Sequence, residues 1–144
     1  MMKKETEEEY LETLYKLYKD SKEDKIKTGE IADHLGVSPP TVTEVLPMLE
    51  EKGYLEYIPY YGVKLSDKGH KEGERIVRSH RVLEVFLFRY FSLEHEILHE
   101  KACQLEHIFN SEMIDILCDK LGRPKRCPHG NEIPTCGQNC CSKD

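Results

Sequence analysis

Residues 28–51 constrain the fold more than any other part of the chain, because they place a tight turn between two short helices. The first segment, TGEIADHLGV, has apolar residues at helical spacing up to Gly36, and PPTVTEVLPMLEE follows directly after Ser38. A glycine allows a sharp reversal at a helix end, and proline is tolerated at the first positions of a helix. We expect Val37 to fill the angle between the two helices. The segment therefore predicts a helix-turn-helix unit.

The segments on either side extend this unit. Residues 5–20 carry an apolar stripe at helical spacing, with Thr6 as the expected N-cap. The stretch YLEYIPYYGVKLS alternates and contains a glycine turn, which predicts a two-stranded hairpin. The order of helix, helix, turn, helix and hairpin is that of a winged helix-turn-helix, which we assign to residues 1–70.

The second half of the chain is also predicted to be helical. Ser66 is the expected cap of a helix over residues 67–91, Ser92 that of the next helix, and Asn110 or Ser111 that of a last helix ending near Gly122. The stretch VLEVFLFRYF is apolar on nearly all sides, which favours cover by a partner subunit and hence a homodimer. The predicted fold class is mainly α, with a helical domain over residues 71–126 and a cysteine-rich tail over residues 127–144.

The helix-turn-helix predicts binding to double-stranded DNA, because its second helix would enter the major groove by its N-terminal end. The chain is acidic overall, with a formal net charge of −6. A DNA-binding surface needs cations, so a winged helix that contacts only protein remains an alternative. The candidate DNA-binding residues are Lys27, Thr28, Ser38, Pro39, Pro40, Thr41, Thr43, Glu44, Tyr61 and Lys64.

Three predicted helices carry metal-ligand side chains at spacings that share a helix face. The candidate metal ligands are Glu9, Glu12, His80, Glu84, His99, Cys103, Glu106 and His107. Taken singly, the glutamates of the first helix could be a solvated face, His80 with Glu84 a surface pair, and Cys103 a core residue. A thiol, a carboxylate and an imidazole on one helical turn are a costly way to fill a core unless they share an ion.

The donor types narrow the choice of metal. Carboxylates with imidazoles suit Mn(II) or Fe(II), and one thiolate shifts the preference towards Fe(II), Co(II), Ni(II) or Zn(II). We expect Fe(II), with Mn(II) or Zn(II) as the next candidates.

The cysteine-rich tail could hold a further metal or an iron–sulfur cluster. Its candidate ligands are Cys127, His129, Cys136 and Cys140. No CxxC pair is present, so a tail with reduced thiols is the alternative.

Other function classes receive less support from the sequence. The chain has neither a long apolar stretch nor the apolar region of a secretory signal, so we expect a cytoplasmic protein without a membrane segment. A metalloenzyme is conceivable for His, Glu and Cys around a metal, but no nucleophile–base set or cofactor loop appears. We therefore expect neither an enzyme nor a small-molecule substrate. A metal-buffering or adaptor protein that does not bind DNA is the other alternative.

The sequence resembles the family of iron- and manganese-dependent repressors that includes the diphtheria toxin repressor and the manganese transport regulator. The resemblance covers residues from about 5 to 134 and rests on EEYLETLYKL, TGEIADHLGVSPPTVTEVLPMLEEKGYLEY, LSDKGHKEGERIVRSHRVLEVFL, HEKACQLEHIFNSEM and CPHGNEIP. It implies a metal-dependent repressor that binds palindromic operator DNA as a dimer and controls metal homeostasis genes.

The resemblance also implies roles for the ligands. Cys103, Glu106 and His107 match the residues that hold the activating metal in the iron branch, where a Met stands at the position of Glu9. The manganese branch has acidic residues at the positions of Glu9 and Glu12. The ancillary site matches His80, Glu84 and His99. In the iron branch that site takes further ligands from a C-terminal SH3-like domain, which we expect this chain to lack.

We hypothesise that a metal ion draws the first helix towards residues 103–107 and so fixes the distance between the two recognition helices of a dimer. That distance must match DNA half-sites about 34 Å apart.

Overall fold

The computed structural model describes residues 2–21 and 23–135. Its elements are α1 (Lys4–Asp20), α2 (Thr28–Leu35), α3 (Pro39–Glu51), β1 (Leu55–Ile58), β2 (Gly62–Leu65), α4 (Asp67–Phe91), α5 (His95–Leu105) and α6 (Ser111–Lys120). The chain divides into two compact units, one up to Glu74 and one from Arg75 onwards. The predicted mainly helical fold with a winged helix-turn-helix is confirmed.

The first unit has its own hydrophobic core, which the three helices and the hairpin share. The apolar positions of α3 recur every three or four residues, so Val42, Leu46 and Leu49 fall on one face and are buried. The strands β1 and β2 pair antiparallel, with Leu55 opposite Leu65. The hairpin is the wing that the sequence predicts.

Glycines with positive φ end the helices of the first unit where the sequence predicts. Gly36 has a φ of 69° after α2, and Gly53 has a φ of 84° after α3. The expectation for Val37 is wrong: its backbone N–H bonds the carbonyl of Ala32, but the residue is 38% exposed and is not part of the hydrophobic core that α2 and α3 share.

Helix starts are less well predicted. Helix α1 begins at Lys4, so Thr6 lies inside it and is not the N-cap. Ser66 does cap α4, because its Oγ accepts a hydrogen bond from the backbone N–H of Gly69 at 3.0 Å. Ser38 precedes α3, but its hydroxyl pairs with Thr41 and makes no cap bond.

The second unit packs α4, α5 and α6 with the segment that follows them. Its core includes Leu83, Leu98 and Ile114, and it also takes up Cys127 and Ile133 from beyond α6. The described part of the predicted tail is thus anchored in the core. None of the helices in the described part of the chain combines the length and the hydropathy that a membrane span requires.

Of the N-caps predicted in the second unit, one is confirmed and one is wrong. Asn110 caps α6 by accepting a bond from Met113 N at 2.8 Å, as expected. Ser92 does not cap α5, which begins at His95 after Glu94. Ser92 has a φ of 51°, whereas an N-cap residue needs extended backbone.

Candidate metal centre and nucleic-acid interface

Helix α4 supplies the first pair of candidate ligands. His80 and Glu84 are one turn apart, and both side chains are 3% exposed. Nε2 of His80 lies 3.4 Å from Oε1 of Glu84. A carboxylate and an imidazole at this depth need a partner charge or an ion, because burial disfavours an isolated charge. The surface-pair alternative is therefore excluded for these two residues.

Helix α5 and the turn after it supply the second set. His99 and Cys103 are one turn apart within α5. The helix ends at Leu105, so Glu106 and His107 follow the helix instead of lying within it as the sequence suggests. Because Glu106 keeps helical dihedrals (φ −60°, ψ −25°), its spacing from Cys103 is still that of one helical turn.

Three groups of ligand atoms converge among the described residues, each with its atoms within 4.8 Å of one another. The first, here called the Glu106 triad, is His80, Cys103 and Glu106. The second, the His99 triad, is His80, Glu84 and His99. The third, the Cys127 triad, is Glu84, Cys127 and His129. All three lie in the second unit and form a chain through shared members.

His80 joins the Glu106 triad to the His99 triad through its two ring nitrogens. Nδ1 lies 3.5 Å from Oε1 of Glu106. Nε2 faces Glu84 and lies 3.2 Å from Nδ1 of His99. One imidazole thus points a different nitrogen at each triad.

Glu84 joins the His99 triad to the Cys127 triad through its two oxygens. Oε1 faces His80, while Oε2 lies 2.7 Å from Nδ1 of His129. Burial alone would raise the pKa of Glu84, but the hydrogen bond from His80 and the charges of His80, His129 and His99 together lower this pKa below its usual 4.5. Glu84 is therefore held as a carboxylate, the form that binds a cation.

The Cys127 triad is built by the segment after α6. The backbone N–H of Cys127 bonds the carbonyl of Asn131 at 2.9 Å, and Gly130 N bonds the carbonyl of Cys127 at 2.8 Å. This tight turn presents His129, whose Nε2 lies 3.2 Å from the carbonyl oxygen of His95. A ligand histidine is commonly oriented by such a bond at its second nitrogen. The predicted extra ligands Cys127 and His129 thus meet Glu84.

Several predicted ligands lie outside these three triads. The side chain of His107 is 7% exposed, with its Nε2 3.9 Å from Oε1 of Glu106. In the first unit, Glu9 is exposed, while Glu12 is buried and accepts a hydrogen bond from Lys16 Nζ at 2.8 Å. The assignment of all three as metal ligands stays a prediction. Cys136 and Cys140 lie outside the described residues.

The donor set of the second unit fits a divalent transition metal. It combines imidazole nitrogen, carboxylate oxygen and cysteine sulfur around buried Glu84 and Glu106. A divalent cation would neutralise these two carboxylates, and the mixture of hard and borderline donors suits Mn(II), Fe(II) or Zn(II).

The predicted DNA-contacting residues lie at the exposed start of α3 and around it. The hydroxyls of Ser38 and Thr41 are 2.8 Å apart. Thr43 turns its hydroxyl back to the carbonyl of Pro40 at 3.0 Å. Lys27 and Thr28 stand at the start of α2, where Lys27 is exposed.

The wing carries an aromatic and cationic cluster. The ammonium of Lys25 lies 4.4 Å from the ring centroid of Tyr61, and that of Lys64 lies 5.7 Å from it. Tyr60, at the tip, is fully exposed with a φ of 66°. The predicted candidates Tyr61 and Lys64 are thus neighbours on the wing, and Lys25 joins them from the loop before α2.

Comparison with known proteins gives two matching domain profiles. Residues 2–63 match the N-terminal DNA-binding domain of the iron-dependent repressors. Residues 66–135 match the metal-binding and dimerisation domain of the same proteins.

Individual relatives agree with these profiles. The chain is 36% identical over 110 residues to an uncharacterised HTH-type transcriptional regulator of Methanocaldococcus jannaschii, covering 76% of this chain and 87% of the relative. It is 30% identical to the diphtheria toxin repressor of Corynebacterium glutamicum, covering 93% of this chain but 58% of that repressor. The solved structure of a manganese-dependent transcriptional repressor in complex with manganese superposes with a TM-score of 0.78 at 32% identity, covering 90% of this chain and 59% of that one.

The chain therefore spans little more than half of these two longer relatives. Both matched profiles together cover nearly all of its described residues. The chain belongs to the iron-dependent repressor family, whose members are metal-dependent transcriptional regulators with a winged helix-turn-helix.

Proposed function

We propose that this protein is a cytoplasmic, metal-dependent transcriptional repressor that binds palindromic operator DNA as a homodimer when it holds its metal. Fe(II) is the favoured ion, and metal homeostasis genes are the proposed targets. The observation that carries the proposal is the convergence of three ligand triads on the shared residues His80 and Glu84, within the domain matched as metal-binding.

The donor set supports iron first and manganese second. The Glu106 triad includes the thiol of Cys103, and thiolate ligands favour Fe(II) or Zn(II) over Mn(II). The His99 triad holds only nitrogen and oxygen donors, which suit Mn(II) equally well. A manganese- or zinc-responsive regulator of the same architecture is therefore the second candidate, and the manganese-dependent repressor with a similar fold supports it.

The homodimer is supported by apolar side chains that the second unit leaves exposed. Among them Phe91 is 59% exposed and Ile116 is 52% exposed. Among the described residues of this unit, the exposed large apolar residues are Phe88, Tyr90, Phe91, Ile97, Ile108, Met113 and Ile116. So many exposed large apolar side chains on a small domain favour a protein–protein interface, and the matched profile is that of a dimerisation domain.

The coupling between metal and DNA follows from linkage. If the metal-loaded protein binds operator more tightly, operator-bound protein holds its metal more tightly by the same factor. In this proposal, metal binding in the second unit restricts how the recognition helices of a dimer can be placed. The predicted ligands Glu9 and Glu12 would extend that restriction to α1.

Capture of genomic DNA from the source organism tests the proposal. Full-length protein is incubated anaerobically with sheared DNA, either with Fe(II) or with a chelator, and the retained fragments are sequenced. We expect enrichment of a few palindromic sites with Fe(II) and none with chelator. Sedimentation of the same samples should give a dimer. If no DNA is enriched with Fe(II), nor when Mn(II) or Zn(II) replaces it, the protein is not a metal-dependent repressor but a metalloprotein of another kind.

A further inference from the structure

Helix α3 presents an outward stripe directly opposite its buried face. Val42, Leu46 and Leu49 are buried, and the helical period places four exposed residues on the other side. These residues are Pro40, Glu44, Pro47 and Glu51. The only ionisable side chains on the outward stripe are therefore two glutamates.

Apart from these two glutamates, α3 has few side chains that could form a specific contact with a base. The helix PPTVTEVLPMLEE contains no lysine or arginine, so it cannot form the bidentate arginine–guanine contact. Ser38 and Thr41 share a hydrogen bond, and Thr43 is bonded to the carbonyl of Pro40. Glu44 is exposed, and no hydrogen bond or ion pair engages its carboxylate within the described part of the chain.

A carboxylate in this position has one favourable kind of partner on DNA, an amine of a base. An ionised carboxylate only accepts hydrogen bonds, and phosphates repel it, so in the major groove it needs a donor from a base. The exposed donors there are the N4 amine of cytosine and the N6 amine of adenine. Adenine places the acceptor N7 beside its amine, which disfavours a second carboxylate oxygen, whereas cytosine has a C–H group at the neighbouring ring position.

We propose that Glu44 is a specificity-determining residue that accepts a hydrogen bond from the N4 amine of a cytosine in each operator half-site. This inference rests on the proposed function, since it requires α3 to dock in the major groove. Glu44 lies in the N-terminal half of α3, the end by which such a helix enters the groove. Glu51 lies about 10 Å further along the helix axis on the same stripe and serves as a matched charge.

Selection from a pool of randomised duplex DNA tests the inference. The full-length protein with Mn(II), an air-stable probe ion, is compared with the variants Glu44→Gln, Glu44→Ala and Glu51→Gln. We expect wild type to select cytosine at one position of each half-site by roughly tenfold over other bases. Glu44→Gln should move that preference towards adenine, Glu44→Ala should abolish it at that position alone, and Glu51→Gln should keep the wild-type preference.

Two results would overturn the inference. If both Glu44 variants bind all sequences more tightly, by the same factor as Glu51→Gln and with unchanged base preference, then Glu44 acts only through charge repulsion. If wild type selects a defined sequence, but no cytosine preference in it changes in the Glu44 variants, then other residues recognise the bases. A wild-type protein that selects no DNA with Mn(II), nor with Fe(II) under anaerobic conditions, contradicts the proposed repressor function itself, and the inference fails with it.

Discussion

Oε2 of Glu84 lies 2.7 Å from Nδ1 of His129, which joins the middle of α4 to the turn formed by residues 127–130. The same carboxylate turns its other oxygen to His80. Glu84 thus belongs to two of the three triads, and through it the segment after α6 becomes part of the metal centre. An ion in the Cys127 triad would tie that segment to α4, and an ion in the His99 triad would tie α5 to α4.

Replacing Glu84 with glutamine should therefore weaken two triads at once. We expect Glu84→Gln to lower the affinity for Mn(II) by at least tenfold, because a neutral amide replaces a charged ligand shared by both. At a Mn(II) concentration one hundred times the wild-type dissociation constant, bound metal stabilises wild type by about 2.7 kcal/mol. At a tenfold loss of affinity about half of that gain should be missing in the variant, and more at a larger loss. Isothermal titration and chemical denaturation measure the two effects.

The control for this variant is Glu74→Gln, a change on the same helix at a partly exposed position paired with His70. It should leave Mn(II) affinity unchanged. Equal losses in the two variants, or none in Glu84→Gln, would remove Glu84 from the metal centre.

Cobalt spectroscopy should distinguish the two thiol-containing triads. Co(II) bound to a thiolate gives a ligand-to-metal charge-transfer band, and Cys103 and Cys127 belong to different triads. We expect Cys103→Ser and Cys127→Ser each to remove part of this absorption. Cys118→Ala is the control, because Cys118 is buried in the apolar core and is a member of none of the triads found among the described residues. A band that persists unchanged in both serine variants would show that neither thiol is a ligand.

The lowered pKa of Glu84 predicts a pH dependence of stability in the metal-free protein. A carboxylate whose pKa is lower in the folded state stabilises the fold above its unfolded value of 4.5, and this contribution disappears as the pH falls through the folded value. The free energy of unfolding of wild type should therefore exceed that of Glu84→Gln at about pH 5.5, and the difference should shrink towards about pH 3. Urea denaturation in the presence of a chelator measures it. A difference that grows on acidification would contradict the stated charge environment of Glu84.

The attachment of the wing should depend on the absence of a side chain at Gly62. Gly62 has a φ of 131°, and a Cβ there would lie 2.6 Å from the carbonyl oxygen of Ile26. The two segments are held by paired hydrogen bonds between Ile26 and Val63. We expect Gly62→Ala to lower the free energy of unfolding by about 2 kcal/mol or more. Chemical denaturation monitored by circular dichroism gives the value.

Gly29→Ala is the matched control for the wing. Gly29 lies in the first turn of α2, where an added Cβ would have no other atom within 4 Å, and alanine favours a helix by up to about 1 kcal/mol. The control should be neutral or slightly stabilising. Similar destabilisation in both variants would mean that the backbone at Gly62 relaxes freely.

The order of elements in this chain can be predicted from the sequence, because the signals for it are local. The apolar stripe of α3 and the glycines after α2 and α3 each involve residues that are close together in the sequence. Helix starts are less certain. Thr6 and Ser92 are good N-cap residues by type, but α1 begins earlier than Thr6, and the backbone of Ser92 is left-handed at the end of α4. Nothing local to either residue distinguishes it from Asn110, which does cap its helix.

The candidate site is likewise predictable from the sequence only in part. The pairs His80 with Glu84 and His99 with Cys103 are recognisable because one helical turn separates their members. The approach of His129 to Glu84 depends on how the segment after α6 packs, and no sequence spacing indicates it. The sharing of His80 between two triads likewise depends on the packing of α5 against α4.

In our proposal, metal held in the second unit controls DNA binding, and this coupling can be measured as the affinity for a selected operator. Wild type, Glu106→Gln and the exposed α5 control Glu100→Gln are titrated anaerobically against operator DNA, each with Fe(II) and with a chelator. We expect Fe(II) to tighten binding by wild type and Glu100→Gln by between about 5-fold and about 150-fold. Glu106→Gln should bind with the weak, metal-free affinity in both conditions. Equal affinity of wild type for operator DNA with Fe(II) and with chelator would show that the metal does not control DNA binding.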